Sequence, residues 1–327
     1  MMFGLSMMLF VFFLVLDFGL LEWSYARPAE NVRRVGILFR GFASTEFTDQ
    51  FRSSMRRRGW IDGHNVVIEE RSAEGRKEQL GQFAKELVDL KIDVIVVNGV
   101  TAARAVMAVT NTMPTIAIGG DPTAENLVVN SLRPEANVTV LTLNEEPEVS
   151  GKRLELLKQG IPSITRAAVL LKPRIRSHGR HLKHIGETAK ILKINVQPVA
   201  LEGPLLIEKA FSSMTDVEAV LILPWGMDIP QQRGMILHHA AKKRLLTVFT
   251  GPNPVRRGGF MSYGPVRTEA WKRAGTIVDK ILKGARVADL PVERPIHYEL
   301  VINVKTANSF GFAVAPELLM QADEVIK

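Results

Sequence analysis

What most constrains this chain is an alternation of two hydrophobic periods along its length. Short apolar runs rich in Val and Ile are separated by segments whose apolar residues return every three or four positions. The run at 33–39 (RRVGILF) has strand length, and 46–58 places Phe47, Phe51 and Met55 at helical spacing before Gly59 ends it. Residues 66–70 read as the next strand, 79–90 as a helix with Leu80, Phe83, Leu87 and Leu90 along one side, and 92–97 as a near-continuous β-branched strand. Thr101 stands where it would cap a helix over 102–109. From 146 the rhythm restarts with helices at 148–159, 179–192, 207–214 and 233–243 between strands at 167–171, 195–200, 219–223 and 246–249. A glycine-bearing strand at 258–265 and a helix at 268–283 follow, then a strand at 298–304 and two helices at 306–310 and 316–326. Strands apolar throughout are buried on both faces, so the pattern predicts an α/β chain of parallel sheets covered by helices. With 327 residues there is enough chain for two such lobes.

Residues 1–21 are apolar apart from Ser6 and Asp17, and Ser24-Tyr25-Ala26 follows with small residues where a signal peptidase reads; residues 1–26 are therefore expected to be a signal peptide. No Lys or Arg precedes Arg27, so an uncleaved anchor or a start codon set too early is the competing reading. Cleavage would remove Asp17 and Glu22 and no base, raising the formal net charge by two, from +8 to +10. The absence of cysteine excludes disulfides, thiolate metal sites, cysteine nucleophiles and a lipid anchor on cysteine. No later run approaches the roughly 20 apolar residues that span a bilayer, so a soluble periplasmic protein is expected. An excess of base suits an anionic ligand or acidic partner and is also ordinary solvation. No nucleic-acid partner is expected of an exported chain.

Open parallel sheets take ligands beyond the carboxyl ends of their strands, so the residues that follow strands are the candidates. These are Arg40 and the loop to Ser44, Asn98-Gly99-Val100-Thr101, Gly119-Gly120-Asp121-Pro122, Lys172, Pro224-Trp225 and Thr250-Gly251. Paired glycines let a backbone turn sharply and approach another molecule, and Asp121-Pro122 is placed to open a helix with unpaired first amides. The same residue types also make plain turns. Trp225 and Tyr263 can stack on a planar ligand or fill a core. No phosphate or dinucleotide fingerprint, no G-x-S-x-G and no signalled carboxylate pair occurs, so neither an enzyme nor a cofactor is expected. Of the seven histidines, His178, His181, His184, His238 and His239 cluster. Lys172, Arg174, Arg176, Arg180 and Lys183 are interleaved with that run and repel a cation, so a basic, solvated helix face is expected there rather than a metal site. Lys172 or Arg174 can also reach a cleft and pair with a ligand anion.

Seven blocks stand in a fixed order: GGDP at 119–122, ANVT at 136–139, KRLELLKQGIP at 152–162, GGFMSYGP at 258–265, ILKGARVADLPVERP at 281–295, ELVINVKTANSFG at 299–311 and ADEVI at 322–326. Together they resemble the exported substrate-binding proteins of ABC transporters, in the branch associated with tryptophan and other aromatic amino acids within the type I periplasmic-binding fold. The resemblance implies two Rossmann-like lobes with mostly parallel sheets joined by a three-segment hinge. Lobe 1 would hold residues 27–143 with 264–292, and lobe 2 residues 144–263 with 293–327. The crossings would fall near 141–146, 262–265 and 291–298, with Gly264 absorbing backbone change. A monomer would trap a small-molecule ligand without chemistry and present its closed form to an ABC permease in the inner membrane.

The implied ligand-binding set is Arg40, Ser44, Asn98, Gly99, Thr101, Gly120, Asp121, Lys172, Trp225 and Tyr263. For an amino-acid-like ligand, Thr101 and the amides opening its helix face a carboxylate, and Asp121 meets an ammonium. The chain departs from the family pattern at two loops. The usual Ser-Pro pair after the first strand is replaced by Arg40-Gly41-Phe42-Ala43-Ser44, and an asparagine-proline-rich loop after Leu171 by KPRIRSH at 172–178. Cations there suit an aromatic carboxylate without an amine as well as an amino acid. A periplasmic sensor feeding a membrane receptor is the alternative, since it shares the fold. A repressor needs a helix-turn-helix where the apolar leader stands.

Overall fold

The computed structural model describes residues 32–120, 137–143, 145–202, 206–224, 230–294 and 296–327; the expected signal peptide, Asp121 and Trp225 lie outside them. In chain order, β1 (Arg33–Phe39), α1 (Thr45–Arg56), β2 (Val66–Ser72), α2 (Leu80–Asp89), β3 (Val94–Asn98), α3 (Val100–Val109), β4 (Thr115–Ile118) and β5 (Val138–Leu141) come first. Their strands form one sheet in the order β2-β1-β3-β4-β5, every pair parallel. Then follow α4 (Glu148–Gly160), β6 (Arg166–Leu171), α5 (Arg176–Leu192), β7 (Asn195–Ala200), α6 (Ile207–Ser212), β8 (Ala219–Ile222), α7 (Pro230–Lys242) and β9 (Leu246–Phe249). The last elements are α8 (Pro252–Arg256), β10 (Met261–Pro265), α9 (Arg267–Leu282), β11 (Tyr298–Asn303), α10 (Val304–Phe310), α11 (Pro316–Leu319) and β12 (Glu324–Ile326). The second sheet runs β12-β11-β10-β9-β8-β6-β7 and is parallel except between β10 and β11.

Side chains alternate across a strand, and β1 uses both sides. Val35, Ile37 and Phe39 pack with Phe51 and Met55 of α1 and with Trp271, Ala274, Ile277 and Val278 of α9. Leu38 joins Ile95, Val97 and Ala117 against Leu80, Ala84 and Leu87 of α2 and Ala102, Ala103 and Val106 of α3. Burial on both faces is why these strands read as unbroken apolar runs. In the second sheet Ala167 and Val169 pack on α4 and α5 through Leu154, Leu157 and Ile185, while Ala168 and Leu170 pack on Phe211 of α6 and Ile236 of α7. Helix α9 thus comes late in sequence yet completes the first sheet's core. Its Trp271 stacks on Phe39 and Phe47 with ring centroids 5.1 and 5.7 Å away. A side chain at Gly275 would meet Ser54 of α1 at 2.7 Å, so a glycine there lets the two helices close.

Three passages join the sheets: 142–147 between β5 and α4, Val266 between β10 and α9, and 291–297 ahead of β11. The third lies between the other two. Glu293 donates its N–H to Val140 (3.0 Å) and accepts that of Thr142 (2.9 Å), and Val266 donates to the carbonyl of His297 (3.1 Å).

Three local expectations change. Helix α3 begins at Val100 with Gly99 as its N-cap at φ 91°, so Thr101 sits inside the first turn and does not cap it. Helix α5 begins at Arg176, which draws His178 into the helix. The helix expected over 316–326 stops at Leu319, and Glu324, Val325 and Ile326 pair instead with Val301, Ile302 and Asn303 of β11. An open sheet edge offers three residues a ladder that local propensity does not foresee.

Candidate functional site

The carboxyl ends of β1, β3 and β4 bring one group of the expected residues together. Arg40 follows β1, and its backbone carbonyl accepts the N–H of Gly75 (3.0 Å). A Cβ added at Gly99 would lie 3.9 Å from the Arg40 Nε, so the guanidinium rests beside the opening of α3. The Gly99 carbonyl accepts from Ala102 and Ala103, which leaves the Val100 and Thr101 amides as the first donors of the turn. Thr101 is exposed there, and Asn98, the last residue of β3, is half-buried. Gly119 and Gly120 both have left-handed φ, 99° and 81°, and a Cβ at Gly120 would stand 2.1 Å from Val100 Cγ2. The end of β4 is therefore pressed against the start of α3, and only glycine fits. Thr142 locks this turn by donating its hydroxyl to the Gly120 carbonyl at 2.6 Å. Ser44 is the N-cap of α1 through its carbonyl, which accepts from Phe47 and Thr48; its hydroxyl makes no capping bond.

A second group belongs to the other sheet. Lys172 leaves β6 half-buried, and its N–H donates to His178 Nδ1 at 2.8 Å. The histidine's other nitrogen donates to the Pro224 carbonyl, just past β8, at 2.7 Å. Tyr263 lies in β10, half-buried, and stacks on Tyr298 of β11 with centroids 5.5 Å apart and planes at 26°.

Between these groups lies a buried network that sequence reasoning missed. Arg153 of α4 is 2% exposed, and its guanidinium grips Glu145 of the first crossing, itself 3% exposed. Its Nε also donates to the Tyr263 carbonyl at 2.6 Å, so one side chain ties the first crossing to β10, the strand that runs into the second. Burial pushes the Glu145 carboxyl up, against the pull of Arg153 and Arg267. Ser150 bridges Arg153 (3.4 Å) to His181 Nδ1 (2.8 Å). The signal was present, since Ser150, Arg153 and Leu157 fall on one helix face and a charge on an apolar face calls for a buried partner.

The basic-face reading of the histidine cluster is corrected by the same network. His178 and His181 are each 1% exposed, whereas His238 is exposed. Among the described residues no group of three or more His, Asp or Glu is placed to hold a metal ion. Burial, and then the nearby charges of Arg153 and Arg180, hold His181 neutral, pushed down to about 3 from 6.5. The unfolded chain takes up this proton near pH 6.5 and the folded chain only near 3. The stability is thus fully present above pH 6.5 and drains as pH falls toward 3. The stability advantage of wild type over His181→Asn should shrink by up to about 1.4 kcal/mol per pH unit in that window, read from urea unfolding at pH 7.5, 6, 5 and 4. A difference that does not change with pH would contradict this.

A surface hollow of about 520 Å³ opens at the amino ends of β1 and β3, at the other end of the strands, lined by Arg33, Arg34, Asp89 and Lys91 among others. Its one deep acid is already engaged, since Asp93 accepts Arg33 at 2.9 Å and the Arg34 N–H at 2.7 Å. The carboxyl ends of the strands are the better candidate.

Two mostly parallel α/β sheets joined by three crossings define the type I periplasmic-binding fold. The chain superposes on an ABC domain from Streptococcus pneumonia in complex with L-Trp with a TM-score of 0.75, 22% identity, and coverage of 90% of this chain and 99% of that one. A ligand-free, open substrate-binding protein with adhesive properties from Clostridium difficile gives a TM-score of 0.71 at 18% identity, covering 90% and 100%. A tyrosine-binding protein from Clostridioides difficile (strain R20291) is 22% identical over 261 residues, 78% of this chain and 74% of that protein. Residues 39–326 match the family of ABC transporter substrate binding proteins, and the chain belongs to that family. No helix among the described residues is long and apolar enough to cross a membrane.

Proposed function

We propose that this protein is exported to the periplasm, traps a small aromatic carboxylate or aromatic amino acid between its two lobes, and delivers it to an ABC permease. Lobe 1 is built on the first sheet with α9 and lobe 2 on the second sheet, which keeps Gly264 and Pro265 in β10 and moves the expected boundary at 264 to Val266, and the three crossings act as the hinge. One observation carries the reading. In a member of this family, the Arg40 guanidinium stands beside Gly99, whose φ of 91° opens the first turn of α3 at the carboxyl end of β3. Such a pairing favours a carboxylate, by charge-assisted hydrogen bonds and by the helix dipole. Relatives that hold L-Trp or are named for tyrosine support an aromatic body behind that carboxylate. Lys172, Trp225 and Tyr263 would complete the second wall, and Ser44, Asn98, Thr101, Gly120 and Asp121 the first.

The test is a thermal-shift panel of L-tryptophan, L-tyrosine, indole-3-acetate and 4-hydroxyphenylpyruvate, because a ligand at 100 times its dissociation constant adds about 2.7 kcal/mol. A binder of the amino acids alone assigns the ammonium to Asp121; equal binding of the acids assigns recognition to the cations. For whichever ligand binds, Arg40→Gln should weaken affinity about tenfold to hundredfold by calorimetry, the worth of one hydrogen bond to a charged group. An unchanged affinity removes Arg40 from the site, and a silent panel removes the reading.

A further inference from the structure

We propose that His178 is a positioning residue of the ligand cleft: it fixes the loops after β6 and β8 so that Lys172 is presented to the ligand. The inference rests on the cleft at the strands' carboxyl ends being the ligand site. Strands β6 and β8 are parallel neighbours, and their ladder runs out at the rung in which Leu223 donates to the Leu170 carbonyl at 3.2 Å. Beyond it, among the described residues, β6 and β8 no longer pair with each other. His178 supplies the next rung with a side chain. Its Nδ1 accepts the Lys172 N–H at 2.8 Å and its Nε2–H donates to the Pro224 carbonyl at 2.7 Å. The partners dictate a neutral ring with its proton on Nε2, since one nitrogen must accept and the other donate.

The loop itself is wound tightly onto this helix start, with Ile175 donating to the Lys172 carbonyl at 3.0 Å and His178 donating to that of Ile175 at 3.0 Å. At 1% exposure, with both nitrogens committed, His178 touches no ligand and acts through the backbone of Lys172. One turn further along the same helix, His181 meets Ser150, which in turn meets the hinge clamp Arg153. The first turn of α5 is thus anchored to the cleft wall at one histidine and to the crossings at the next, so the wall cannot drift relative to the hinge.

The test compares His178→Ala with His178→Asn, whose Oδ1 falls near the place of Nδ1 and can accept the Lys172 amide. In ligand-free protein, hydrogen–deuterium exchange at the Lys172 amide should rise about tenfold or more in His178→Ala and stay near wild type in His178→Asn. Affinity for the panel compound that binds wild type should fall about tenfold in His178→Ala and less than about threefold in His178→Asn. If His178→Ala does not fold, His178→Phe keeps a ring and loses both hydrogen bonds, and carries the same expectations as His178→Ala. Unchanged Lys172 exchange overturns the latch whatever the ligand result, and a loosened loop with unchanged affinity overturns the positioning role. A wild-type protein that binds no panel compound overturns the functional reading, while the exchange arm still decides the latch.

Discussion

Arg153→Met should lower the unfolding free energy of the ligand-free protein by about 3–5 kcal/mol, the typical cost of leaving one buried charge without its partner. Glu145 is 3% exposed, and its carboxyl is already pushed up by burial even with the guanidinium beside it. Without Arg153, the carboxylate, the Tyr263 carbonyl and the Ser150 hydroxyl lose a donor together. Glu145→Leu combined with Arg153→Met should recover much of the loss, because an apolar pair of similar volume no longer carries the desolvation penalty of either charge. Urea unfolding of the wild type, both single variants and the double variant completes the cycle. A single Arg153→Met variant within about 1 kcal/mol of wild type would show that the pair is not the clamp its geometry describes.

Gly264→Ala should be nearly as damaging, for a reason of space. The added methyl would stand 1.9 Å from the Thr250 carbonyl oxygen and 2.8 Å from its carbon, both backbone atoms that cannot rotate away. Strand β10 would have to lift from the end of β9, on the segment that carries Tyr263 and leads into α9. Overpacking of this kind costs about 3 kcal/mol, which corresponds to roughly 5–10 °C in melting temperature. Ligand affinity should drop with it, because the Tyr263–Tyr298 stack rides on the displaced strand. Differential scanning fluorimetry with and without ligand reads both effects. A melting point within about 2 °C of wild type would mean that Thr250 yields easily.

Much of the architecture was legible because buried parallel strands announce themselves. The runs at 33–39, 195–200 and 246–249 coincide with β1, β7 and β9. What escaped was whatever depends on a partner distant in sequence. Strand β12 is three residues whose pairing exists only because β11 has an open edge. Gly264 was read as a point where backbone could swing, yet its place in the β10–β11 ladder and its contact with Thr250 require a glycine in any case. His178 and His181 looked like part of a solvated cationic face because sequence shows the charged neighbours and hides the residues that bury them. Of the candidate site, the convergence of Arg40, Gly99 and Gly120 followed from the rule for strand ends; the clamp through Arg153, which joins segments more than a hundred positions apart, did not.

The late position of α9 has a consequence for how the chain comes to be folded at all. The face of β1 that carries Val35, Ile37 and Phe39 is covered on one side by residues 267–282. Synthesis therefore produces the whole of the first sheet long before the helix that seals it, and the second sheet's strands β6 to β10 lie between them. Closing so distant a contact is slow, and until it closes the earlier half of the chain keeps an apolar surface open. The strand that waits longest for its cover is β1, and the chain leaves it directly into Arg40.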